Sequence, residues 1–428
     1  MDTSFRSRPA LHAPTPLWVC IVFSFVNSIG TGLVTNGIYF LTQSRQGYRF
    51  SAVENLWLAV AIGVTYIGGA KLAGPVQRAL RRAFPRLSSR GFLALLMLFM
   101  GILCVIPPIL RAAGVPERSP LGLIGLGVLA LGYSPASGML WPTVESYVSG
   151  GRRGHTLRRA IGLWNVVWSA AIPLAYFGMS GIIEHEPVVA FVALGAVHLA
   201  AIALLRWFHA EPAPHPPDGH EPHPVVYVQL LAVLRFMLPL AYVMTSALGP
   251  MLPDVLLRLG VSEQWRPIIG TAWLVPRVVT FWVLQAWHGW HGRWTTPLVG
   301  GALLIGGFAG TMLAPWSPRA DTAVAVIVGC LIMFGTGMAT LYKAAIYYAM
   351  EVGHSGVDAG GTHEALIGVG YTVGPLCALG GFGLVRLEVV PNEFRDVSSL
   401  VIIGVLVAGT LLAAANSAWR AKRSPGRT

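Results

Sequence analysis

Twelve long apolar runs, separated by short polar connections, constrain the fold of this 428-residue chain more than any other feature. They lie approximately at 17–41, 53–75, 91–113, 120–148, 160–183, 187–209, 226–250, 265–287, 295–314, 322–350, 363–386 and 398–419. About 20 apolar residues in helix cross the hydrocarbon of a bilayer, and runs of this length recur along the whole chain. Inside hydrocarbon every backbone N–H and C=O needs an internal partner, which a helix supplies residue by residue. Gly and Pro within several runs are tolerable because neighbouring helices re-satisfy the backbone. Composition agrees: 54% of residues are hydrophobic and 11% charged, whereas a soluble domain carries about 25% charged residues. The expected fold class is an all-α membrane protein with twelve transmembrane helices.

The net charge of +12 has to be read by position, because cytoplasmic loops of membrane proteins collect Lys and Arg. Such a balance does not point to nucleic acid. The N-terminal stretch "MDTSFRSRPALHAPTP" carries Arg6 and Arg8 before an apolar run that is too long for a signal-peptide core and lacks a small-residue cleavage site. It reads as a first span with the N-terminus inside, and an even number of spans returns the C-terminus to the same side. On that topology inside segments hold seventeen of the 30 basic residues and outside loops nine, which supports it. The bias comes from the first half and the C-terminal tail. Cys20, Cys104, Cys330 and Cys377 fall in different runs with no paired spacing and read as small buried hydrophobes.

Between spans six and seven lies "HAEPAPHPPDGHEPHP", a Pro- and His-rich polar segment that cannot form a packed core and reads as a linker. The chain therefore divides into an N-terminal six-helix bundle (1–209), a cytoplasmic linker (210–225) and a C-terminal six-helix bundle (226–428). An offset of 206 residues overlays the two halves: Glu145 falls on Glu351, Gly150 on Gly356, Gly162 on Gly368, Trp141 on Tyr347 and "RAIG" on "ALIG". A repeat near half the chain length is the mark of a duplicated bundle.

Twelve spans, a long linker after span six, the basic loop "GGAKLAGPVQRALRR" after span two and matched ends of spans four and ten resemble the major facilitator superfamily of secondary transporters. That loop keeps the family's Gly at Gly69 and the basic run but has no Asp. Its second copy, "WHGWHGRW", keeps Gly292 and Arg293, with Gly289 at the Asp position. "GYTVGPLCALGG" (370–381) is similar to the Gly-Pro helix motif of the family's antiporters, although that motif sits in span five there. The resemblance implies two pseudo-symmetric bundles rocking about a central site by alternating access, with no covalent chemistry and no cofactor. It implies a small-molecule substrate within a lipid bilayer, carried by a symporter or antiporter that is expected to be a monomer. Carboxylates ending spans four and ten commonly hold the family's inner gate shut by pairing with loop arginines. By that resemblance Glu145 meets Arg of the nearby basic loops and Glu351 meets Arg293, with proton carriage as the competing role.

Ionisable residues within spans are functional candidates because lipid exposes them at high cost. Arg277, near the middle of span eight with Trp273 and Thr280 on its face, is a candidate substrate or coupling residue; an arginine paired inside the bundle is the alternative. Lys343 and Tyr347, four apart on span ten, are candidates for the cavity wall. Arg235 begins a face with Tyr242 and Ser246, though snorkelling would serve it equally. On span four Tyr133, Ser137, Trp141 and Glu145 are spaced by four and read as one cavity face. Asn27 and Thr31 on span one, with Asn165 and Trp168 on span five, are candidates for the N-terminal wall or for helix–helix hydrogen bonds. His198 reads as a satisfied bundle histidine.

The stretch "AMEVGHSGVDAGGTHEALIGVG" (349–370) concentrates Glu351, His354, Asp358, His363 and Glu364. A zincin helix would need a second His four residues after His363, where Ile367 stands, so no metal site is expected. Thr362, His363 and Glu364 suit a helix start. His363 and Glu364 are then gate or capping residues first and proton-relay members second. The expectation is transport of a polar or anionic organic solute across a bacterial inner membrane, with protons as the candidate coupling ion. A non-transporting sensor or partner-binding scaffold is the alternative, and a membrane enzyme lacks any nucleophile–base spacing.

Overall fold

The computed structural model describes residues 13–152, 154–183, 185–214, 224–352 and 357–423. The linker 210–225 falls largely, and His354 wholly, outside the described residues. Among the described residues there are helices and no strands, and twelve helices are long and apolar enough to cross a membrane. They are α1 (Leu17–Gln43), α2 (Ala52–Ala83), α3 (Ser89–Ala112), α4 (Pro120–Ser149), α5 (Gly154–Ser180) and α6 (Val189–Trp207). The second six are α7 (Val225–Arg258), α8 (Trp265–Ala286), α9 (Thr295–Trp316), α10 (Ala320–Val352), α11 (Val357–Arg386) and α12 (Arg395–Arg423).

Each apolar run became one helix, but several helices outlast their run. The apolar stretch 53–75 continues as helix to Ala83, through Arg78, Arg81 and Arg82. Hydrogen bonding along a helix does not need apolar side chains, so α2, about 48 Å long at 1.5 Å per residue, reaches well past a hydrocarbon core of about 30 Å. Its start is set by a capping box: the Ser51 hydroxyl accepts from the Glu54 N–H and the Glu54 carboxylate accepts from the Ser51 N–H. Ser88 and Ser119 cap α3 and α4 with the hydroxyl alone, accepting from the Gly91 and Gly122 N–H. One face of α2 leaves Trp57, Val64 and Leu72 exposed, while Leu56, Ile62 and Tyr66 point into the bundle. That apolar outer face suits lipid.

In the first half α1 packs on α5 and α6, α2 on α4, and α3 on α4 and α6; in the second half α7 packs on α10, α11 and α12, while α8 and α9 pack on α10. The halves meet chiefly where α2 lies along α11 and where α5 lies along α8. These two seams are the same seam repeated, since α8 and α11 are the counterparts of α2 and α5. The glycines paired by the 206-residue offset occupy matching places: Gly162 on α5 lies against Gln285 of α8, and Gly368 on α11 lies against Tyr66 and Ile67 of α2. Glycine permits that approach because a Cβ at Gly368 would sit 2.7 Å from the Ile67 side chain.

The end of the bundle away from the linker is stapled by charge. Asp396, 5% exposed, pairs with Arg258 and Arg395, and Arg395 also holds Asp254 at 2.8 Å. This network ties the end of α7 to the start of α12. Asp396→Ala leaves Arg258 and Arg395 to share Asp254 alone, so it is expected to cost about 1–3 kcal/mol, the loss of charged hydrogen bonds at a half-buried site. A thermal melt of the purified variant checks this; an unchanged midpoint would show that solvent already satisfies Arg258 and Arg395.

Candidate functional site

Two helices of the twelve break their regular geometry, and both breaks face the middle of the molecule. In α1 a π-helical turn spans Leu33–Gly37; in α8 the helix stops at Gly270 and resumes at Leu274. Irregular turns in spanning helices turn side chains toward a cavity. Here they flank a cavity between the two halves, with Thr31, Thr35 and Asn36 contributed around the α1 turn and Trp273 and Arg277 just after the α8 break.

Arg277 is the cavity's cation. It is 5% exposed, its Nε donates to the Ser169 hydroxyl at 2.9 Å, and its Nη2 is buried with no partner. The guanidinium carbon lies 5.0 Å from the Trp168 ring centroid and 4.8 Å from that of Trp273, within cation–π range of both. Trp168 is oriented in turn by Asn165, whose Oδ1 accepts its indole N–H at 2.9 Å. The remaining wall is aromatic: Trp141, Trp164, Tyr242, Tyr342 and Tyr371 all line the cavity. Two more lining hydroxyls, Ser28 Oγ and Ser137 Oγ, are buried without partners. An unpaired guanidinium, two free hydroxyls and a wall of rings can bind a small amphipathic anion.

Glu364 is the carboxylate of this cavity, 4% exposed, and accepts a short hydrogen bond from the Tyr66 hydroxyl across the α2–α11 seam. Glu145, equally buried, lies behind it. Its Oε1 has no partner, its Oε2 rests against Gly360 of α11, and Glu364 is the ionisable group nearest to it in effect. The expectation from the resemblance paired Glu145 with loop arginines and Glu351 with Arg293. The geometry differs: Glu145 points inward to another carboxylate, while exposed Arg293 makes no ion pair with the half-buried Glu351. Among the described residues an ion pair between Arg78 and Asp358, at 2.9 Å, joins the halves on the linker side, supported by Lys71 donating to Thr362. Glu145 lies on the inward face of α4, away from the side chains that reach the loops. His363 turns its ring toward Tyr342 and leaves Nε2 buried without a partner.

Of the residues singled out by sequence, the cavity gathers Thr31, Ser137, Trp141, Trp168, Tyr242, Arg277 and Glu364. Asn165 supports it through Trp168. Asn27 does not line it; its amide bonds the Phe23 carbonyl and faces His198, which in turn meets the Tyr133 hydroxyl at 2.7 Å. That chain is an internal bundle network, the helix–helix alternative for Asn27 and the satisfied histidine expected at 198. Arg235 is exposed on the outside of α7. Lys343 and Tyr347 lie outside the central lining, in a separate cluster with Arg158, Gln285, His288 and His291. Spacing of four put Lys343 and Tyr347 on one face of α10, but Tyr342, one residue earlier, is the one that reaches the cavity. Tyr66, Tyr342, Tyr371 and Trp164 escaped the sequence reading because a ring in a span is usually packing, and nothing in their spacing separates the two uses.

No family model and no curated protein matches this chain in sequence. Among solved structures it is similar to a bacterial homolog of the human lysosomal transporter Spinster, determined in an inward-facing, unoccupied conformation. The TM-score is 0.63 at 13% identity, over 95% of this chain and 96% of the other. The chain thus has the twelve-helix fold of the major facilitator transporters, two pseudo-symmetric six-helix bundles with a cavity between them.

Proposed function

We propose that this chain is a secondary transporter that moves a small organic solute with an anionic group across a bacterial inner membrane by alternating access. The halves 1–209 and 226–428 rock about the central cavity, joined by 210–225, with both termini in the cytoplasm; the protein works as a monomer in the bilayer. The observation that carries this reading is Arg277, whose buried Nη2 lacks a partner inside the cavity. A guanidinium stays charged, and a buried charge is costly until an opposite charge and its hydrogen bonds are supplied. Ser169 is neutral, so an anion from the solute completes the set. The aromatic wall provides the apolar contact for the rest of the molecule.

A thermal-shift screen of purified protein against aromatic and aliphatic carboxylates, phosphate esters, sugars and amines tests the reading, since a ligand of the folded state raises its melting point. Stabilisation confined to anions supports it. Stabilisation by sugars or amines alone overturns it.

Protons are the proposed coupling ion, carried by Glu145 and Glu364. Two carboxylates buried together between the halves repel when both are charged, and one proton removes that repulsion. Rising pH therefore loosens the linker-side seam and falling pH closes it. Uptake of the screened solute into proteoliposomes is expected to vary with pH in the wild type and to lose most of that variation in Glu145→Gln and Glu364→Gln. A wild-type pH profile in both variants would remove the pair from the coupling scheme.

A further inference from the structure

A second group of cations lies on the linker side, apart from Arg277, and no carboxylate pairs with it among the described residues. It is built from both halves: Arg158 from the start of α5, Gln285 from the end of α8, His288 and His291 from the α8–α9 connection, and Lys343 and Tyr347 from α10. They surround a small pocket that opens at the linker side. Lys343 is 4% exposed, and its ammonium has one hydrogen bond, to the neutral Gln285 Oε1 at 3.2 Å. Tyr347 is 5% exposed and its hydroxyl is buried without a hydrogen-bond partner.

The loop is shaped to bring its histidine here. Gly292 takes φ +67°, a left-handed turn, and its N–H donates to the Tyr348 hydroxyl at 2.8 Å. Trp290 is buried and donates to the Leu284 carbonyl at 3.0 Å. His291 then stacks flat on the Tyr347 ring, with centroids 4.4 Å apart and planes 3° from parallel.

We propose that this cluster is a second binding site, for the phosphate group of a phosphorylated ligand or of a lipid headgroup. Lys343 and Arg158 supply two cationic side chains from opposite halves, which matches a group carrying about −1.5 to −2 at neutral pH. The Tyr347 hydroxyl and the imidazoles add donors from other directions, and such an array suits a tetrahedral oxyanion better than a planar carboxylate. Because Arg158 belongs to the first half and Lys343 to the second, a bound phosphate holds the α5–α8 seam together on the linker side. The groups facing His291 agree with a positive field. Burial first, then neighbouring His288, Arg158 and Lys343, hold its imidazole down to about 4. Tyr347 covers its ring, Glu351 lies near Tyr347 one turn further along α10, and Tyr227 of α7 closes the other side.

The site does not depend on the reading of Arg277, and the test separates them. Inorganic phosphate is titrated into purified full-length protein at constant ionic strength, with thermal unfolding as the readout, in wild type, Lys343→Gln, Tyr347→Phe and Arg277→Gln. In parallel, wild type and Lys343→Gln are melted in nanodiscs of phosphatidylcholine with and without phosphatidic acid. Phosphate is expected to stabilise wild type and Arg277→Gln alike, and to need about tenfold higher concentration in Lys343→Gln or Tyr347→Phe. Tyr347→Phe keeps the ring stacked under His291, so it reports on the hydroxyl even if the lysine variant is poorly folded. Stabilisation by phosphatidic acid alone, absent from Lys343→Gln, identifies a headgroup as the source. Equal stabilisation of wild type and the Lys343 and Tyr347 variants overturns the site, as does the absence of stabilisation by both free phosphate and phosphatidic acid. Loss of the phosphate response in Arg277→Gln, with Lys343→Gln unaffected, would move the anion to the central cavity and likewise overturn it.

Discussion

Arg277→Met is expected to abolish solute binding while leaving the ligand-free protein as stable as before, or more so. Truncating one partner of a buried charge pair typically costs about 2–5 kcal/mol of binding, which is roughly 30-fold to several-thousand-fold in affinity. The stability half of the expectation runs the other way. In the empty protein Arg277 is a buried cation with one neutral hydrogen bond and an unpartnered Nη2. Replacing it with an apolar chain of similar length removes a desolvated charge, and such replacements are often neutral or stabilising. Arg277→Lys should fail to restore binding, because an ammonium cannot lie flat between Trp168 and Trp273 while reaching Ser169. The measurements are ligand-free melting temperature and titration with the best anion from the screen. A variant that melts lower and binds normally would make Arg277 a packing residue.

The second large effect separates two adjacent glycines. Gly69→Ala is expected to destabilise the fold strongly, and Gly68→Ala to be near neutral. A Cβ at Gly69 would lie 2.1 Å from the Pro135 carbonyl oxygen and 2.5 Å from the Pro135 Cα, both backbone atoms of α4. Neither can swing away as a side chain would, so α2 and α4 would have to part, and overpacking of this kind costs about 1–3 kcal/mol or more. Gly138 makes the reciprocal approach from α4, with a Cβ there 2.7 Å from the Tyr66 carbonyl oxygen. At Gly68 nothing lies within 4 Å, and alanine has the better helix propensity. Melting temperatures of the two variants in one detergent decide it; equal values would mean that the α2–α4 crossing relaxes freely. The basic loop motif begins at Gly69, so the glycine that carries the resemblance also carries the tightest helix crossing of the first half described here.

The elements were legible because each depends on local chemistry. Apolar runs became the helices, and the 206-residue repeat paired Gly162 with Gly368 on equivalent seams. The site was legible where one residue stood out against its span, as Arg277 does, or where polar and aromatic residues shared a helical face, as Ser137 and Trp141 do. Helical spacing grouped Lys343 with Tyr347 correctly, since both line one cluster, yet it could not say what that face meets. Glu145 and Glu364 lie 219 positions apart, and their encounter depends on how α4 and α11 cross. Expectations built on loop arginines missed it because Arg78 found Asp358 instead.

The sequence by itself determined a twelve-span, all-helical, duplicated chain, because continuous apolar runs of about 20 residues satisfy their backbone in hydrocarbon as helices, whereas barrel strands would be shorter and alternating. Only the tertiary structure decided which polar groups share a space. That choice is made by helix rotation and crossing, set by glycine contacts and broken turns in α1 and α8 that bring residues from distant spans together. It divided one list of candidate cations into two places, Arg277 among rings at the centre and Lys343 among histidines at the linker end.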